Sequence, residues 1–420
     1  FFYPIWKNKV KIWFASPVKE SVMYECDYLI IGSGIVGLSI AKELQTNNPN
    51  ARILIIEKEK KVGKHASGRN SGVLHSGIYY DPNTIKGRVC NQGSKEMLEY
   101  CKANNLPYVK RGKTIISRND DDISLLYHRA KVYGIKAEMI DKKQLYDIEP
   151  CCHTVTDKSL YLSDVYVIDP LSILNSIRHS FMLNGGEIHF NNKVISADPC
   201  NSTLETEFHK YKYSYCINAA GQYADQVAHL FSVGHEYTMI PFKGVYYKLI
   251  ERPDMFCNGL IYPVPDLNLP FLGLHTLKSI RGDTFIGPTA LPVLGRENYS
   301  GIKGVENSDL INVPYYLVKA LLKNKQNIRG HTKNEIKNIF KYNITKSAQH
   351  LIQGISSNDL VVCYKSGIRP QLLNKNTLEM VMDFKIEKKD NTIHVLNSIS
   401  PAFTSAFTFS RIVINELFSK

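Results

Sequence analysis

Residues 27–37, DYLIIGSGIVG, decide the fold together with the run RILII at 52–56, which ends at Glu57. The apolar residues up to Ile31 predict a buried strand, and the spacing of apolar residues from Ile35 onward predicts a helix. A second buried strand follows at 52–56. This strand-helix-strand unit has the length of about thirty residues that is typical of a dinucleotide-binding half-fold. The sequence therefore predicts the α/β class.

Three glycines in the turn, Gly32, Gly34 and Gly37, follow the GxGxxG spacing. The first permits a tight turn, the second lets a pyrophosphate approach the backbone, and the third lets the helix pack on the strand. Glu57 would accept hydrogen bonds from ribose hydroxyls and repel a 2′-phosphate, which argues against NADP. An ordinary tight turn with a surface glutamate is the alternative, and the fingerprint alone suits NAD and FAD equally. The cofactor contacts predicted here are Gly32, Ser33, Gly34, Ile35, Val36, Gly37, Glu57 and Lys58.

A loop rich in small residues follows the second strand and reads HASGRNSGVLHSGIYY at 65–80. Flavoproteins use such a loop beside a cofactor that is too long for one half-fold. The run 68–80, with Cys90, residues 99–101 and Gly112-Lys113, resembles the FAD-dependent L-2-hydroxyglutarate dehydrogenases of the D-amino-acid oxidase-like superfamily. The resemblance covers most of residues 25–420, matches poorly between about 300 and 360, and continues in 220–221, 241–244, 261–266, 271–275, 367–371 and 400–405.

The resemblance implies a Rossmann-like FAD-binding domain and a second, mixed and largely antiparallel β domain that binds the substrate. It implies oxidation of L-2-hydroxyglutarate, a small dicarboxylate, to 2-oxoglutarate, with electrons passed to a quinone or a similar acceptor. It implies a mitochondrial location in eukaryotes; a cytoplasmic one is the alternative. The rival activities are those of an amine or amino-acid oxidase and a glycerol-3-phosphate dehydrogenase of the same superfamily.

Further cofactor contacts are expected from the small-residue loop and from later segments. A helical run that follows Pro401 and extends to Leu417 would direct backbone N–H groups at the flavin and stabilise its reduced ring. Alternatively, Ser400 and Thr404 are ordinary helix N-caps. Arg69 stands where relatives have histidine, so we expect FAD to be bound non-covalently. The expected additional contacts are Ser67, Gly68, Asn70, Ser71, Gly72, Val194, Ala220, Gly221, Gly367, Ile368, Thr404 and Ser405.

Oxidation of a secondary alcohol requires a base for the hydroxyl proton while the hydride leaves C2. We expect His75 to be that base, with His275 as the alternative or as a hydrogen-bond donor to the substrate; a structural role beside the flavin is the other interpretation of either histidine. The rate should then fall as the pH drops through the histidine pKa, ordinarily about 6.5.

A dicarboxylate needs at least one fixed cation, because desolvating an unpaired carboxylate is costly. We expect Arg369 to supply it, although an interdomain salt bridge would also explain an arginine there. Lys243 replaces an arginine of the relatives with a point charge, which would alter carboxylate recognition. The other expected substrate contacts are Lys243 and Arg69, for the second carboxylate, and Tyr79 and Tyr262, which would shape the pocket.

A chain of 420 residues predicts two domains, because single cores stop growing near about 250–300 residues. Prolines between about 240 and 290 predict short strands of the second domain, and one helix is predicted near 315–322. The predicted division is an N-terminal extension at 1–24, an FAD-binding domain at 25–108, 150–235 and 362–420, and a substrate-binding domain at 109–149 and 236–361.

The net charge of +13 would suit nucleic acid, an anionic membrane or acidic substrates, so charge alone does not identify a partner. Residues 298–346 show a Lys- and Asn-rich bias, and no nucleic-acid-binding motif is present, so we expect no nucleic-acid partner and leave peripheral membrane association open. Nine scattered cysteines predict neither a disulfide framework nor a metal site. The first nineteen residues, with Trp6, Trp13 and four lysines but no acid, resemble part of a mitochondrial presequence.

Overall fold

The computed structural model describes residues 22–117, 120–267, 271–301 and 303–419. The predicted targeting segment, with Trp6 and Trp13, lies outside the described residues. The helices are α1 Ile35–Asn47, α2 Ile85–Ala103, α3 Asp120–Val132, α4 Lys142–Ile148, α5 Pro170–Leu183, α6 Ala224–Leu230, α7 Asn307–Lys323, α8 Ile328–Lys337, α9 Lys341–Ala348 and α10 Ala406–Phe418. None of the helices in the described ranges is long and apolar enough to cross a bilayer.

The strands form four sheets in the described part of the chain. Their bounds are β1 Met23–Ile31, β2 Ile53–Ile56, β3 Tyr108–Lys110, β4 Lys113–Ile116, β5 Glu138–Ile140, β6 Ser159–Leu162, β7 Tyr166–Ile168, β8 Glu187–His189, β9 Val194–Asp198, β10 Thr203–Thr206, β11 Lys210–Asn218, β12 Tyr237–Leu249, β13 Leu260–Pro263, β14 His275–Lys278, β15 Thr284–Gly287, β16 Leu291–Pro292, β17 Leu360–Asn374, β18 Lys385–Lys389 and β19 Thr392–Asn397.

The largest sheet has the order β18-β19-β11-β1-β2-β8, with β10 and β9 added beside β11. Its centre is parallel, because β1 pairs in parallel with both β11 and β2. Alternate residues of β1 point to opposite faces: Tyr28 and Ile30 pack in the core with α1, α2, α5 and α10, whereas Leu29 and Ile31 pack in a second core with α6. A strand that is buried on both faces is continuously apolar, which explains the run that the sequence shows.

The second sheet is antiparallel and has the order β14-β15-β12-β16, with β17 also paired to β12. The β12–β17 ladder runs from Tyr237 opposite Asn374 to Leu249 opposite Leu360. The strands β13, β14, β15 and β16 are short, as predicted. Pro241 does not break the chain, because it lies inside the 13-residue strand β12 and faces Pro370 of β17. This sheet and the parallel sheet give the predicted combination of an α/β unit with a largely antiparallel one.

Two smaller sheets complete the architecture: β13-β4-β6-β5, and the pair β3-β7. Between β16 and β17 lie α7, α8 and α9, where the sequence predicted a single helix near 315–322. The domain boundaries stay a prediction; β17 begins before the predicted boundary at 362 and pairs with β12 along its length.

Candidate cofactor and substrate site

A cavity of about 490 Å³ extends from the carboxyl ends of β1 and β2 to the face of the β12–β17 ladder. Ligands of doubly wound folds bind at the carboxyl ends of the parallel strands, so its position is the expected one. At one end the wall contains Gly32 and Glu57, and at the other it contains His75, His275 and Arg369. The cavity thus joins the predicted cofactor turn to the predicted substrate residues.

The glycine turn fits an extended anionic cofactor. Gly32 has φ +104°, and a Cβ there would lie 2.6 Å from the Ala219 carbonyl oxygen. A Cβ on Gly37 would overlap the Gly32 carbonyl, which the close packing of α1 on β1 explains. Gly34 has no side chain that could cap α1, and the Ser67 hydroxyl accepts a hydrogen bond from the Ile35 N–H at 3.0 Å. Gly34, Ile35 and Val36 all line the cavity, so the positive end of this helix faces it. The residues present therefore suit the pyrophosphate of FAD.

Glu57 stands at the end of β2 and faces the same cavity. One of its carboxylate oxygens accepts hydrogen bonds from the Ser33 backbone N–H at 2.8 Å and the Ser33 hydroxyl at 2.7 Å. The other oxygen accepts a bond from the Glu59 N–H at 2.9 Å. Carboxylate oxygens have two lone pairs each, so Glu57 retains capacity to accept bonds from ribose hydroxyls. Ser33 itself is buried and positions Glu57.

Lys58, Glu59, His65 and Glu297 form an ionic cluster beside this end of the cavity. The Lys58 ammonium contacts both carboxylates, and His65 Nε2 lies 2.9 Å from Glu59. Burial would raise the pKa of Glu59, but hydrogen bonds from Lys58, Lys64 and His65 lower it to about 2. Glu59, His65 and Glu297 place candidate metal-ligand atoms within 4.8 Å of one another. Because Lys58 already supplies a cation there, we interpret the cluster as an ion-pair network.

The small-residue loop is shaped by its own hydrogen bonds. Asn70 accepts a bond from the Gly72 N–H at 2.9 Å and donates one to the Ser67 carbonyl at 2.8 Å. The predicted cofactor residues that line the cavity are Gly32, Gly34, Ile35, Val36, Glu57, Lys58, Ser67, Asn70, Ser71, Val194, Ala220, Gly221, Gly367, Ile368 and Thr404. The predicted residues outside this lining are Ser33, Gly37, Gly68, Gly72 and Ser405. Among them, Gly68 and Gly72 allow backbone contacts with Gly63 and Ile168 that a Cβ would block.

Thr404 joins the C-terminal segment to the loop that carries His75. Its hydroxyl accepts a bond from the His75 N–H at 3.2 Å and donates to the Val73 carbonyl at 3.3 Å. The N-cap interpretation of Ser400 and Thr404 is wrong, because the cap of α10 is Ser405 and its side chain makes no capping bond. Thr404 positions His75 instead.

Two neutral histidines face the substrate end of the cavity. Burial lowers the pKa of His75 most, and the charges of Lys113, His275 and Arg369 act in the same direction, so that the pKa is about 3. Burial likewise lowers the pKa of His275 to about 3. His275 Nδ1 donates to the Gly273 carbonyl at 2.9 Å, which leaves Nε2 as an acceptor. Both rings are therefore uncharged near neutral pH, as a general base must be, and the expected fall in rate near pH 6.5 moves to much lower pH.

Arg369 lies on β17 opposite Phe242, and its guanidinium carbon is 5.4 Å from the centre of the Phe271 ring. Burial lowers its pKa, while Tyr80 and Tyr246 act in the opposite direction. An arginine stays protonated under such conditions because its ordinary pKa is above 12. Tyr262 lines the same end, with its ring stacked at 3.9 Å on His275. The structure thus brings together four of the predicted substrate residues: His75, His275, Arg369 and Tyr262.

Lys243 and Arg69 are directed elsewhere than expected. The neighbours of Lys243 on β12, Phe242 and Gly244, line the cavity, so strand alternation turns Lys243 away, and its ammonium donates to the Tyr299 carbonyl. Arg69 lies in the cavity wall, yet it donates to the carbonyls of Lys64 at 2.7 Å and Ser366 at 3.1 Å. These geometries favour a structural role for both cations over binding of a second carboxylate.

Lys113 is a buried cation near the substrate end of the cavity to which the sequence analysis gave no role. It begins β4, is 3% exposed, and its ammonium lies 4.3 Å and 3.9 Å from the ring centres of Tyr79 and Tyr262. The hydroxyls of both tyrosines are buried without a hydrogen-bond partner among the described residues. Burial lowers the pKa of Lys113 to about 7. Tyr79 thus covers Lys113 and does not line the cavity. The sequence offered two signals for Lys113, its place in the Gly112-Lys113 pair of the family resemblance and its position in an otherwise apolar strand.

Replacing Gly34 by valine should abolish FAD binding and leave the chain folded. Gly34 has φ −71°, which any residue adopts, and a Cβ would meet only the Ser67 hydroxyl at 3.1 Å, the end of a short side chain that can give by a few tenths of an ångström. The valine methyl groups would instead fill the space at the start of α1 where the pyrophosphate is expected. Flavin absorbance and circular dichroism of the purified variant measure the two effects. A yellow, folded Gly34→Val protein would contradict the assignment.

The wild-type protein tests whether FAD is attached covalently. Because we expect non-covalent binding, acid precipitation should release the yellow colour into the supernatant. Colour that stays with the pellet would contradict non-covalent binding. Gly37→Val is the matched variant: its Cβ overlaps the Gly32 carbonyl, so this substitution should reduce folding as well as flavin content.

Comparison with known proteins agrees with this geometry. Residues 27–415 match the family model described as FAD dependent oxidoreductase. The L-2-hydroxyglutarate dehydrogenase of Indibacter alkaliphilus is 32% identical over 389 residues, which cover 90% of this chain and 96% of that protein. The mitochondrial L-2-hydroxyglutarate dehydrogenase of Caenorhabditis briggsae is 30% identical, over 97% of this chain and 96% of the relative.

Solved structures share the fold. The dithionite-reduced L-alpha-glycerophosphate oxidase of Mycoplasma pneumoniae, with FAD bound, has a TM-score of 0.73 at 21% identity and covers 95% of this chain and 96% of its own. Glycine oxidase from Geobacillus kaustophilus has a TM-score of 0.66 at 14% identity, with 94% of each chain covered. The family match confirms the predicted FAD cofactor and oxidoreductase activity. From the glycine turn to the C-terminal helix, this chain belongs to the family of FAD-dependent oxidoreductases.

Proposed function

We propose that this protein oxidises L-2-hydroxyglutarate to 2-oxoglutarate and passes the electrons to a quinone or a similar acceptor. The convergence of two neutral histidines and a half-buried arginine at one end of the cavity carries the proposal. A neutral histidine suits removal of the hydroxyl proton, and the arginine suits a carboxylate. The names and the extent of similarity of the relatives from Indibacter and Caenorhabditis support the same substrate.

Bound FAD would supply the hydride acceptor in this reaction. The chain itself orients the substrate through Arg369 and accepts the hydroxyl proton at His75. Tyr262 and His275 form the adjoining wall, where their stacked rings would shield the substrate carbon from water. His275 Nε2 is the alternative proton acceptor, since its Nδ1 hydrogen is already bonded to Gly273.

Lys113 supplies a second positive charge behind the Tyr262 ring, and this charge complements the second carboxylate of the substrate. Its ammonium is held between two aromatic faces, which stabilise a cation where water is excluded. No salt bridge among the described residues includes Lys113, and Lys113 does not line the cavity, so its charge would act on a substrate carboxylate across the Tyr262 ring. The approach of that anion would also raise the lysine pKa and keep it charged.

Anaerobic mixing with a substrate panel tests the proposed activity. L-2-hydroxyglutarate should bleach the flavin much faster than lactate, which lacks the second carboxylate, because a charged hydrogen bond contributes about 1.5–3 kcal/mol. Glycine, sarcosine and glycerol 3-phosphate complete the panel. Faster bleaching by either amine would favour an amine oxidase, and faster bleaching by the phosphate would favour a glycerophosphate enzyme; either result would overturn the proposal.

Replacing Lys113 by methionine should lower kcat/KM for L-2-hydroxyglutarate by about tenfold or more, while lactate should be affected less. The wild-type lysine loses its charge as the pH rises through about 7, so kcat/KM should fall above that pH. Lys113→Arg stays charged and should remove this alkaline limb. Lys110→Met, which neutralises an exposed lysine paired with Asp164, is the matched control. An alkaline limb unchanged in Lys113→Arg would contradict the assigned role.

The names of the relatives also bear on the cellular location of this protein. The Caenorhabditis and Nematostella relatives carry names that place them in mitochondria, whereas the Indibacter name gives no organelle. We therefore infer a mitochondrial location if the source is eukaryotic and a cytoplasmic one otherwise. Fractionation of source cells, followed by antibody detection of this chain, tests the inference.

A further inference from the structure

An exposed apolar stripe runs along α7. Ile311, Tyr315, Val318 and Leu322 are 74%, 50%, 52% and 72% exposed. They are spaced by four, three and four residues, so they lie on one face of the helix. Single exposed apolar side chains are ordinary on soluble proteins, whereas an ordered stripe marks an interaction surface.

The apolar surface continues after α7. Ile336 at the end of α8, Ile339 and Phe340 in the short connection, and Tyr342 in α9 are all more than half exposed. We call the exposed side chains of α7, α8, α9 and their connections the helical face. It therefore combines largely exposed aliphatic groups with exposed aromatic rings, of which Tyr315 and Tyr342 lie against lysines of their own helices.

The charge around the helical face is of one sign. Residues 307–346 contain eight basic residues, Lys319, Lys323, Lys325, Arg329, Lys333, Lys337, Lys341 and Lys346. The two acids of the segment are both buried: Asp309 bonds Arg296, and Glu335 accepts from the Ala290 N–H. Lys325 is paired with Glu379. The remaining cations make no salt bridge in the described structure, so the face attracts anions.

The helical face lies directly outside the substrate end of the cavity. Glu335 of α8 lines the cavity, while the next residue, Ile336, is exposed on the helical face. His331, also on α8, stacks at 4.6 Å on Phe271, another residue of the cavity wall. One helix thus separates the cavity from the apolar, basic surface.

We propose that the helical face docks on an anionic phospholipid bilayer, with the apolar stripe of α7 in the interface and the lysines at the headgroups. Helices that lie in a membrane interface combine one apolar face with flanking lysines and arginines, and here Lys319 folds over the Tyr315 ring at 4.3 Å. Binding of this kind needs no turnover, so the inference stands apart from the proposed substrate. It would place the cavity wall beside a lipid-soluble electron acceptor.

Flotation of the FAD-loaded protein with vesicles tests the proposal. Vesicles of phosphatidylcholine with phosphatidylglycerol should carry at least tenfold more protein than pure phosphatidylcholine vesicles, and added salt should weaken the binding because it screens the lysines. Protein that stays unbound with both vesicle types would overturn the proposal.

Two double variants identify the surface. Ile311→Asn/Leu322→Asn and Lys333→Glu/Lys337→Glu should each reduce the bound fraction on anionic vesicles by about tenfold or more. Turnover with a soluble dye should be unchanged in both, since these side chains do not line the cavity. Matched controls, Leu183→Asn at the end of α5 and Lys143→Glu on α4, should bind like the wild type.

A second copy of this chain is the alternative partner of the helical face. Light scattering of the wild type and of Ile311→Asn/Leu322→Asn in the absence of lipid distinguishes the two. A wild-type dimer that the double variant converts to monomer would assign the helical face to a second copy and overturn the bilayer proposal. Equal vesicle binding by wild type and double variant would overturn it as well.

Discussion

Replacing His75 by asparagine should slow reduction of the flavin by L-2-hydroxyglutarate by about 10²- to 10⁴-fold, the usual contribution of a general base. FAD should stay bound, because the hydrogen bonds that hold His75 among the described residues use its backbone, through Thr404 and Cys90. Stopped-flow absorbance under anaerobic conditions measures the rate, and the flavin-to-protein ratio measures binding. Loss of FAD in the variant would make His75 structural.

His275→Asn is the matched substitution, because both histidines face the cavity and both have a pKa lowered to about 3. A base acts when it is neutral, so protonation of the histidines should not change the rate between pH 5 and 8. The fall in rate that follows histidine protonation should appear only in strong acid. A larger loss in His275→Asn than in His75→Asn would transfer the role to His275. A limb near pH 6.5 that either substitution removes would contradict the lowered pKa values.

Replacing Arg369 by methionine should lower kcat/KM for L-2-hydroxyglutarate by about a hundredfold or more, with a raised KM, as when a charged hydrogen bond is lost. Methionine keeps an unbranched apolar stem like that of arginine but has no guanidinium, so most of the cavity wall is kept while the carboxylate loses its partner. Steady-state kinetics with a soluble acceptor measure the effect.

Arg369→Lys is the companion variant, and it should recover only part of the activity, because an ammonium cannot form the bidentate pair of a guanidinium. Flavin content and thermal stability of both variants control for damage to the β12–β17 ladder. An unchanged KM in Arg369→Met would remove Arg369 from the substrate site and leave the structural interpretation.

The cofactor half of the site could be predicted because its determinants are local. A turn that requires φ +104° at Gly32, and a helix that packs so closely at Gly37, demand glycine whatever surrounds them. The strand-helix-strand unit around them was therefore predicted closely, with α1 beginning at Ile35 and β2 ending at Ile56. Local constraints of this kind are visible in a single sequence.

The substrate half was harder, because it depends on which face of a strand a side chain occupies. Lys243 was expected in the pocket, yet β12 presents its neighbours to the cavity, and a shift of one residue reverses the face. Lys113 went unassigned because its surroundings come from Tyr79 and Tyr262, both distant in sequence. The sequence predicted one helix near 315–322 where the structure has α7, α8 and α9. Many apolar residues of these helices are exposed, so they do not show the regular alternation of buried and exposed positions that predicts a helix.

The β12–β17 ladder has a consequence for how such an enzyme could change its substrate. Gly367 and Ile368, which we expect at the cofactor, precede Arg369 on one continuous strand, and a Cβ on Gly367 would lie 2.8 Å from the Arg69 carbonyl. The expected cofactor contacts and the proposed carboxylate partner, Arg369, therefore lie on the same strand, so neither can be displaced without the other. New specificities would have to arise on the opposite wall, where Tyr262 lies one residue before the end of β13 and His275 begins β14. Changes there would leave the cofactor contacts unaltered.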